Sequence, residues 1–161
     1  MNWPQSLLKK VSEIPYVVGM KEDAKDDQIA KYALTLQPSI KIIFAGTKRT
    51  FFPLLSNGLS AYLNGISIID ARIGLLFWRA HLEENVSLME RIIETLEDPF
   101  FLGPVKKYGW HRCNKALLQA HGLMHRRDRS PMPTLNDREY AEVVQVHSQI
   151  MASFNLILSD Y

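Results

Sequence analysis

Apolar positions along the chain switch between two periods, near 3.6 and near 2, and the switches mark the elements. In residues 1–13, Leu7, Leu8 and Val11 share one helical stripe, and Pro15 marks the exit. An apolar run follows, Ile14-Pro15-Tyr16-Val17-Val18-Gly19-Met20, and stops on Lys21-Glu22-Asp23. Its length and charged end predict a buried strand over 15–21 that reaches the surface at its C-terminus. Alternation sets Val17, Gly19 and Lys21 on one face and Tyr16, Val18, Met20 and Glu22 on the other. Asp23, Asp26 and Asp27 suit a helix N-terminus, and Ile29, Ala30, Tyr32, Ala33 and Leu36 give that helix its apolar face, ended by Pro38. A second strand reads from Ile40 to Ala45 and ends at Gly46; Thr47 caps a helix through Leu55, broken or shortened by Pro53 and stopped by Asn57-Gly58. Leu59 to Asn64 is the third strand, ended by Gly65. Asp70 then caps a long helix from Ala71 to about Glu97, with Ile73, Leu76, Phe77, Ala80, Leu88, Ile92 and Leu96 at helical spacing and Asp98-Pro99 as its stop.

Successive strand–helix units with short connections predict an α/β fold with a parallel sheet and right-handed crossovers. Residues 99–161 change character and offer no convincing strand. A helix is expected from Val105 to Ala120, ending at Gly122, then a loop with Arg129-Ser130-Pro131-Met132-Pro133. Asn136 or Asp137 caps a last helix carrying Tyr140, Val143, Val144, His147, Ile150 and Met151. The expected division is therefore 1–98, strand–helix units, and 99–161, a helical region.

Composition narrows the class. With 161 residues, 47% of them hydrophobic and 22% charged, the chain can bury the core of a globular domain. A formal charge of +2 and a pI near 8.7 are too mildly basic to point to nucleic acid or an anionic membrane. Cys113, the single cysteine, excludes an intrachain disulfide and fits a reducing compartment. The start lacks a secretory pattern and no apolar run reaches the roughly 18 residues of a membrane span, so a cytoplasmic location is expected. Asn85-Val86-Ser87 matches the glycosylation sequon but reads as chance without an export signal. His121 and His125 are separated by Gly122, and His111 and Cys113 face different ways on a helix, so no metal site is expected. His147 lies on an apolar stripe and reads as a packed residue. The basic stretch His125-Arg126-Arg127-Asp128-Arg129 lacks interleaved aromatics and reads as a solvated turn rather than an RNA contact. Phe51-Phe52 and Phe100-Phe101 read as core or subunit-contact anchors.

Reactive groups of parallel α/β proteins lie at the C-terminal ends of strands, and Lys21 is placed there. Two readings compete: a solvated rim residue paired with Glu22 or Asp23, and a nucleophile whose free amine attacks a carbonyl to form an imine. The wording of several segments bears on the choice. Val17-Val18-Gly19-Met20-Lys21-Glu22-Asp23 resembles the Schiff-base lysine strand of the dihydrodipicolinate synthase and N-acetylneuraminate lyase family of class I aldolases. Phe44-Ala45-Gly46 resembles the family's next strand. The stretch from Asn57 to Ser67 resembles its glycine-rich last strand, with Ala61 where a second glycine is usual. Asn114 to Gly122 resembles the lysine-to-glycine helix of its C-terminal region, and Arg129-Ser130-Pro131-Met132-Pro133 the arginine–proline turn after it.

The resemblance implies a (β/α)8 TIM barrel with a C-terminal helical extension, assembled as dimers or tetramers, of which this chain carries the last three strand–helix units. It implies lyase or aldolase chemistry, with pyruvate or another 2-oxo acid held as an imine on Lys21 and an aldehyde or sugar acid as the second substrate. By position Gly46 shapes the pocket and Leu63 lies beside the bound 2-oxo acid through its backbone. No metal and no cofactor are implied. A whole barrel takes about 250 residues, so five strands, the threonine-rich carboxylate-binding loop and the proton-relaying tyrosine of the family have no counterpart here. Three strands alone leave open edges and an apolar face, so homo-oligomerisation or association with a missing N-terminal half is expected. The alternative reading is a catalytically inactive truncated homologue that serves as an assembly or interaction module.

Overall fold

A computed structural model describes residues 3–23, 27–59 and 61–160. The chain divides into two compact units, Met1–Gly65 and Ile66–Tyr161.

In the first unit, helix α1 (Gln5–Ser12) buries Leu8, while Leu7 stays exposed. Strand β1 (Gly19–Glu22) starts later than the apolar run predicts. Residues 14–17 turn instead, with the Val17 N–H donating to the Ile14 carbonyl at 3.0 Å. Pro15 has no N–H for a ladder, and Tyr16 and Val18 stay exposed. Helix α2 (Asp27–Thr35) buries Ala30, Ala33 and Leu34; the capping role expected of Asp26 lies outside the described residues. Strand β2 (Lys41–Gly46) follows the sequence reading closely. Thr47 caps the short helix α3 (Lys48–Phe51), its hydroxyl accepting from the Thr50 N–H at 3.4 Å. Pro53 then falls in tight turns over Phe52–Asn57, which end on Gly58 in the left-handed region at φ +82°. Strand β3 (Tyr62–Asn64) keeps only the end of the expected 59–64, of which Ser60 lies outside the described residues.

The sheet order is β1-β2-β3, parallel throughout. Gly19, Met20, Lys21 and Glu22 stand opposite Lys41, Ile42, Ile43 and Phe44. Phe44, Ala45 and Gly46 stand opposite Tyr62, Leu63 and Asn64. Alternation gives the sheet two unlike faces. One carries Glu22, Ile42 and Phe44, all buried, and is covered by Phe51 of α3, whose ring lies 6.4 Å from Phe44 and 4.1 Å from Tyr62. The other carries Gly19, Lys21, Lys41, Ile43, Ala45 and Leu63; among the described strand residues of that face, only Ala45 is buried.

In the second unit, Asp70 caps helix α4 (Ala71–Leu82) as expected, accepting from the Arg72 N–H at 2.8 Å. The long helix predicted over 71–97 is two helices. Glu84 takes a positive φ of 54°, and Asn85 starts helix α5 (Val86–Ile92) by accepting from the Leu88 N–H at 3.0 Å. That cap gives Asn85 a structural use unconnected with its sequon. Asp98-Pro99 does not stop the helical path either. Widened turns over Ile93–Glu97 lead into helix α6 (Asp98–Phe100), with Pro99 in its first turn, where a missing N–H costs little. A second widened stretch, Phe101–Val105, bends at Gly103 and leads into helix α7 (Lys106–Tyr108). Gly109, at φ +89°, separates this from helix α8 (Trp110–Ala120), which therefore begins later than the expected Val105. Gly122 at φ +69° closes α8.

Helix α9 (Asp137–Asp160) opens with a reciprocal cap that selects Asn136 over Asp137. The Asn136 side chain accepts from the Glu139 N–H at 3.0 Å, and the Glu139 carboxylate accepts from the Asn136 N–H at 2.8 Å. Phe77, Ile92, Leu96, Phe100, Leu117 and Phe154 are fully buried in this unit. The loop between α8 and α9 is tied by Arg126, not by the arginine of the arginine–proline turn. Its Nε donates to the Leu135 carbonyl at 3.0 Å, its guanidinium pairs with Asp137, and it lies 4.7 Å from the Tyr140 ring centre. Arg129 lends its carbonyl, which accepts from the Met132 N–H at 2.9 Å.

Candidate active site

The three candidate positions all fall in the first unit, at the C-terminal ends of parallel strands. Lys21 is the third residue of β1 and stands opposite Ile43. Leu63 stands opposite Ala45, and strand alternation puts Lys21, Ile43, Ala45 and Leu63 on one face of the sheet. That face is the open one: Ile43 is 41% and Leu63 50% exposed. Gly46 is the last residue of β2, at φ +133°, a backbone conformation that favours glycine. A Cβ there would lie 3.1 Å from Thr50 Oγ1. At Gly19, one step below Lys21 on its face, a Cβ would meet the Lys41 carbonyl oxygen at 3.0 Å, so the backbone there would have to give.

Lys21 Nζ donates to Asp23 Oδ2 at 2.8 Å, and the two side chains are 51% and 62% exposed. An ion pair this wet is worth about 0–1 kcal/mol, so it does not lock the lysine. The neighbouring Glu22 points the other way and is buried at 5% exposure. Of the two acidic partners considered from sequence, the hydrogen bond shown is to Asp23.

Sequence reasoning passed over Lys48. A lysine just after a strand is normally solvated, yet Lys48 is 0% exposed. Its Nζ donates to Asn64 Oδ1 at 2.8 Å and lies 5.9 Å from the centre of the Tyr62 ring. The signal available was positional: Lys48 follows Gly46-Thr47 at the end of β2, where a buried polar tie can reach the end of β3.

The second unit holds other chemistry-bearing groups. Burial pushes the Cys113 thiol up to about 11, so it stays protonated and unreactive near neutral pH. His147 and His121 meet edge to face with ring centres 5.1 Å apart, and burial holds His147 below the usual histidine range. His125 Nδ1 accepts from the Arg127 N–H at 3.0 Å. Among the described residues, no group of three or more His, Cys, Asp or Glu side chains is arranged to hold a metal ion. No described helix is long and apolar enough to cross a membrane. A shallow cavity of about 210 Å³ lies among Asn85, Arg91, Ile157 and Asp160, with Arg91 and Asp160 paired at 2.8 Å.

The sequence matches no protein-family model and no curated protein. The fold does find solved counterparts. Proteus mirabilis N-acetylneuraminate lyase superposes with a TM-score of 0.73 at 19% identity over 91% of this chain and 48% of that one. Two crystal forms of N-acetylneuraminate lyase from Mycoplasma synoviae give TM-scores of 0.77 and 0.75, at 17% and 18% identity, over 92% and 95% of this chain. The chain spans about half the length of these structures, 50% and 51% for the Mycoplasma forms. At these identities the likeness is one of fold: an α/β chain with a three-stranded parallel sheet, built like part of an N-acetylneuraminate lyase.

Proposed function

We propose that this chain is the C-terminal portion of a Schiff-base lyase or aldolase of the dihydrodipicolinate synthase type, a partial (β/α)8 barrel followed by helices, with Lys21 as its nucleophile. The observation that carries the reading is the position of Lys21 at the C-terminal end of a parallel strand, on the open face of a sheet shared with N-acetylneuraminate lyases. The free amine of Lys21 adds to the ketone carbon of pyruvate or a similar 2-oxo acid. Water leaves as the imine forms. Where the 2-oxo acid carries a hydroxyl on its fourth carbon, loss of that hydroxyl proton breaks the C3–C4 bond and sends its electron pair into the protonated imine, giving the enamine of pyruvate and an aldehyde. The imine of pyruvate itself loses a C3 proton to reach the same enamine. The reverse steps join an aldehyde or sugar-acid partner. Gly46 would shape the pocket and Leu63 would lie beside the 2-oxo acid. No cofactor is needed, because the imine itself is the electron sink.

A nucleophilic lysine works best when desolvated. Further strands closing over the open face, from a missing half or from copies of the chain, would supply that cover, since parallel sheets are normally buried on both faces. The exposed Ile43 and Leu63 also suit the second reading, an assembly module without catalysis. Borohydride reduction in the presence of pyruvate separates the two. A mass increase localised to the Lys21 peptide and abolished in Lys21→Arg supports imine chemistry; an unmodified Lys21 sinks it for this polypeptide.

A further inference from the structure

We infer that Lys48 is a positioning residue for the Lys21 site: its buried ammonium ties the end of β3 to the end of β2 and so fixes the backbone of Leu63 beside the bound 2-oxo acid. This rests on the imine reading above. Strand β3 is held to β2 through three residue pairs, and the last of them is Gly46 opposite Asn64. Lys48 lies two residues beyond Gly46 and bonds back to the side chain of Asn64 at 2.8 Å, closing the path from Gly46 to its own strand partner. Alternation then couples the two faces. Asn64 faces the covered side, while Leu63, one residue earlier, presents its side chain on the face of Lys21 at 50% exposure. Holding Asn64 from one side therefore sets the Leu63 peptide on the other.

An apolar side chain of the same length would fill the space without the desolvation cost of a buried ammonium. In some proteins a buried polar tie fixes one arrangement where apolar packing would leave several. Here the arrangement fixed is a three-residue strand at the candidate pocket.

The test follows borohydride trapping of the full chain against pyruvate concentration in Lys48→Met, Asn64→Leu, the double variant and Asn64→Asp, which keeps an acceptor for the lysine. Half-saturating pyruvate is expected to rise about tenfold in Lys48→Met and Asn64→Leu, with trapping at saturation kept within about twofold. The double variant should be no worse than either single one, and Asn64→Asp should stay near wild type. A merely structural role would lower the trapped amplitude at every pyruvate concentration and leave half-saturation in place. Unchanged half-saturation in both single variants, or an equal rise in Asn64→Asp and Asn64→Leu, overturns the role while leaving the imine reading intact. A wild-type chain that is not trapped at Lys21 overturns the imine reading, and this role with it.

Discussion

Replacing Gly46 with alanine tests the backbone at the candidate pocket. Gly46 sits at φ +133°, where an L side chain is strained. Holding a non-glycine residue in such a region costs about 1–3 kcal/mol. The added Cβ would also approach Thr50 Oγ1 at 3.1 Å, but Phe44 Cε1 stays at 3.9 Å. Thr50 is exposed, and its hydroxyl can rotate away by giving up its 2.8 Å bond to the Thr47 carbonyl, so the steric part is minor. Against the strain, alanine restricts the unfolded chain and returns about 0.4–1 kcal/mol. The net expectation is a loss of about 1–2 kcal/mol, a factor of roughly 5–30 in the local opening equilibrium. The assay is native-state amide exchange at Phe44, whose N–H donates to the Ala61 carbonyl at 3.0 Å between β2 and β3. Protection at Phe44 should fall by that factor, and the urea midpoint should drop by about 0.5–1 M. Protection and midpoint indistinguishable from wild type would refute the argument that Gly46 is required by its backbone conformation.

Two further outcomes concern the second unit. Asp70→Ala should cost about 0.5–2 kcal/mol in urea denaturation through loss of the α4 cap, whereas Asp70→Asn, which keeps an acceptor, should cost less; equal losses would count against the cap. The Arg72 guanidinium beside Asp70 holds its carboxyl below the usual carboxylate range, so the stabilisation is present above about pH 4 and is lost as pH falls below it. His147 is held below the usual histidine range chiefly by burial, with His121 adding to it. The unfolded chain therefore binds the proton more readily, and stability from this group is full above about pH 6.5 and lost as pH falls. Thermal midpoints measured between about pH 7.5 and 5 should fall more steeply in wild type than in His147→Leu; parallel curves would exclude His147 as the source.

Apolar periodicity and glycine or proline stops are local properties, and for that reason the order of elements in the first unit and the identity of the strand ends are legible in the chain before it folds. β2, the Thr47 cap, the Gly58 stop and the Asp70 cap could all be read from neighbouring residues. Where a local reading misjudged, a nonlocal balance was in charge. Tyr16 and Val18 are as apolar as a buried strand needs, yet the chain turns at Pro15 and leaves them in water. Asp98-Pro99 looked like a helix stop, but widened turns let the helical path continue through it. The register that sets Lys21, Ile43 and Leu63 on one open face came only with strand pairing. So did the burial of Lys48, since Asn64, which accepts from it, is sixteen residues away and comes within 2.8 Å only once β3 lies beside β2 and α3 follows it. Periodicity records which way a side chain points along its own element; what it meets there is decided by the elements packed alongside.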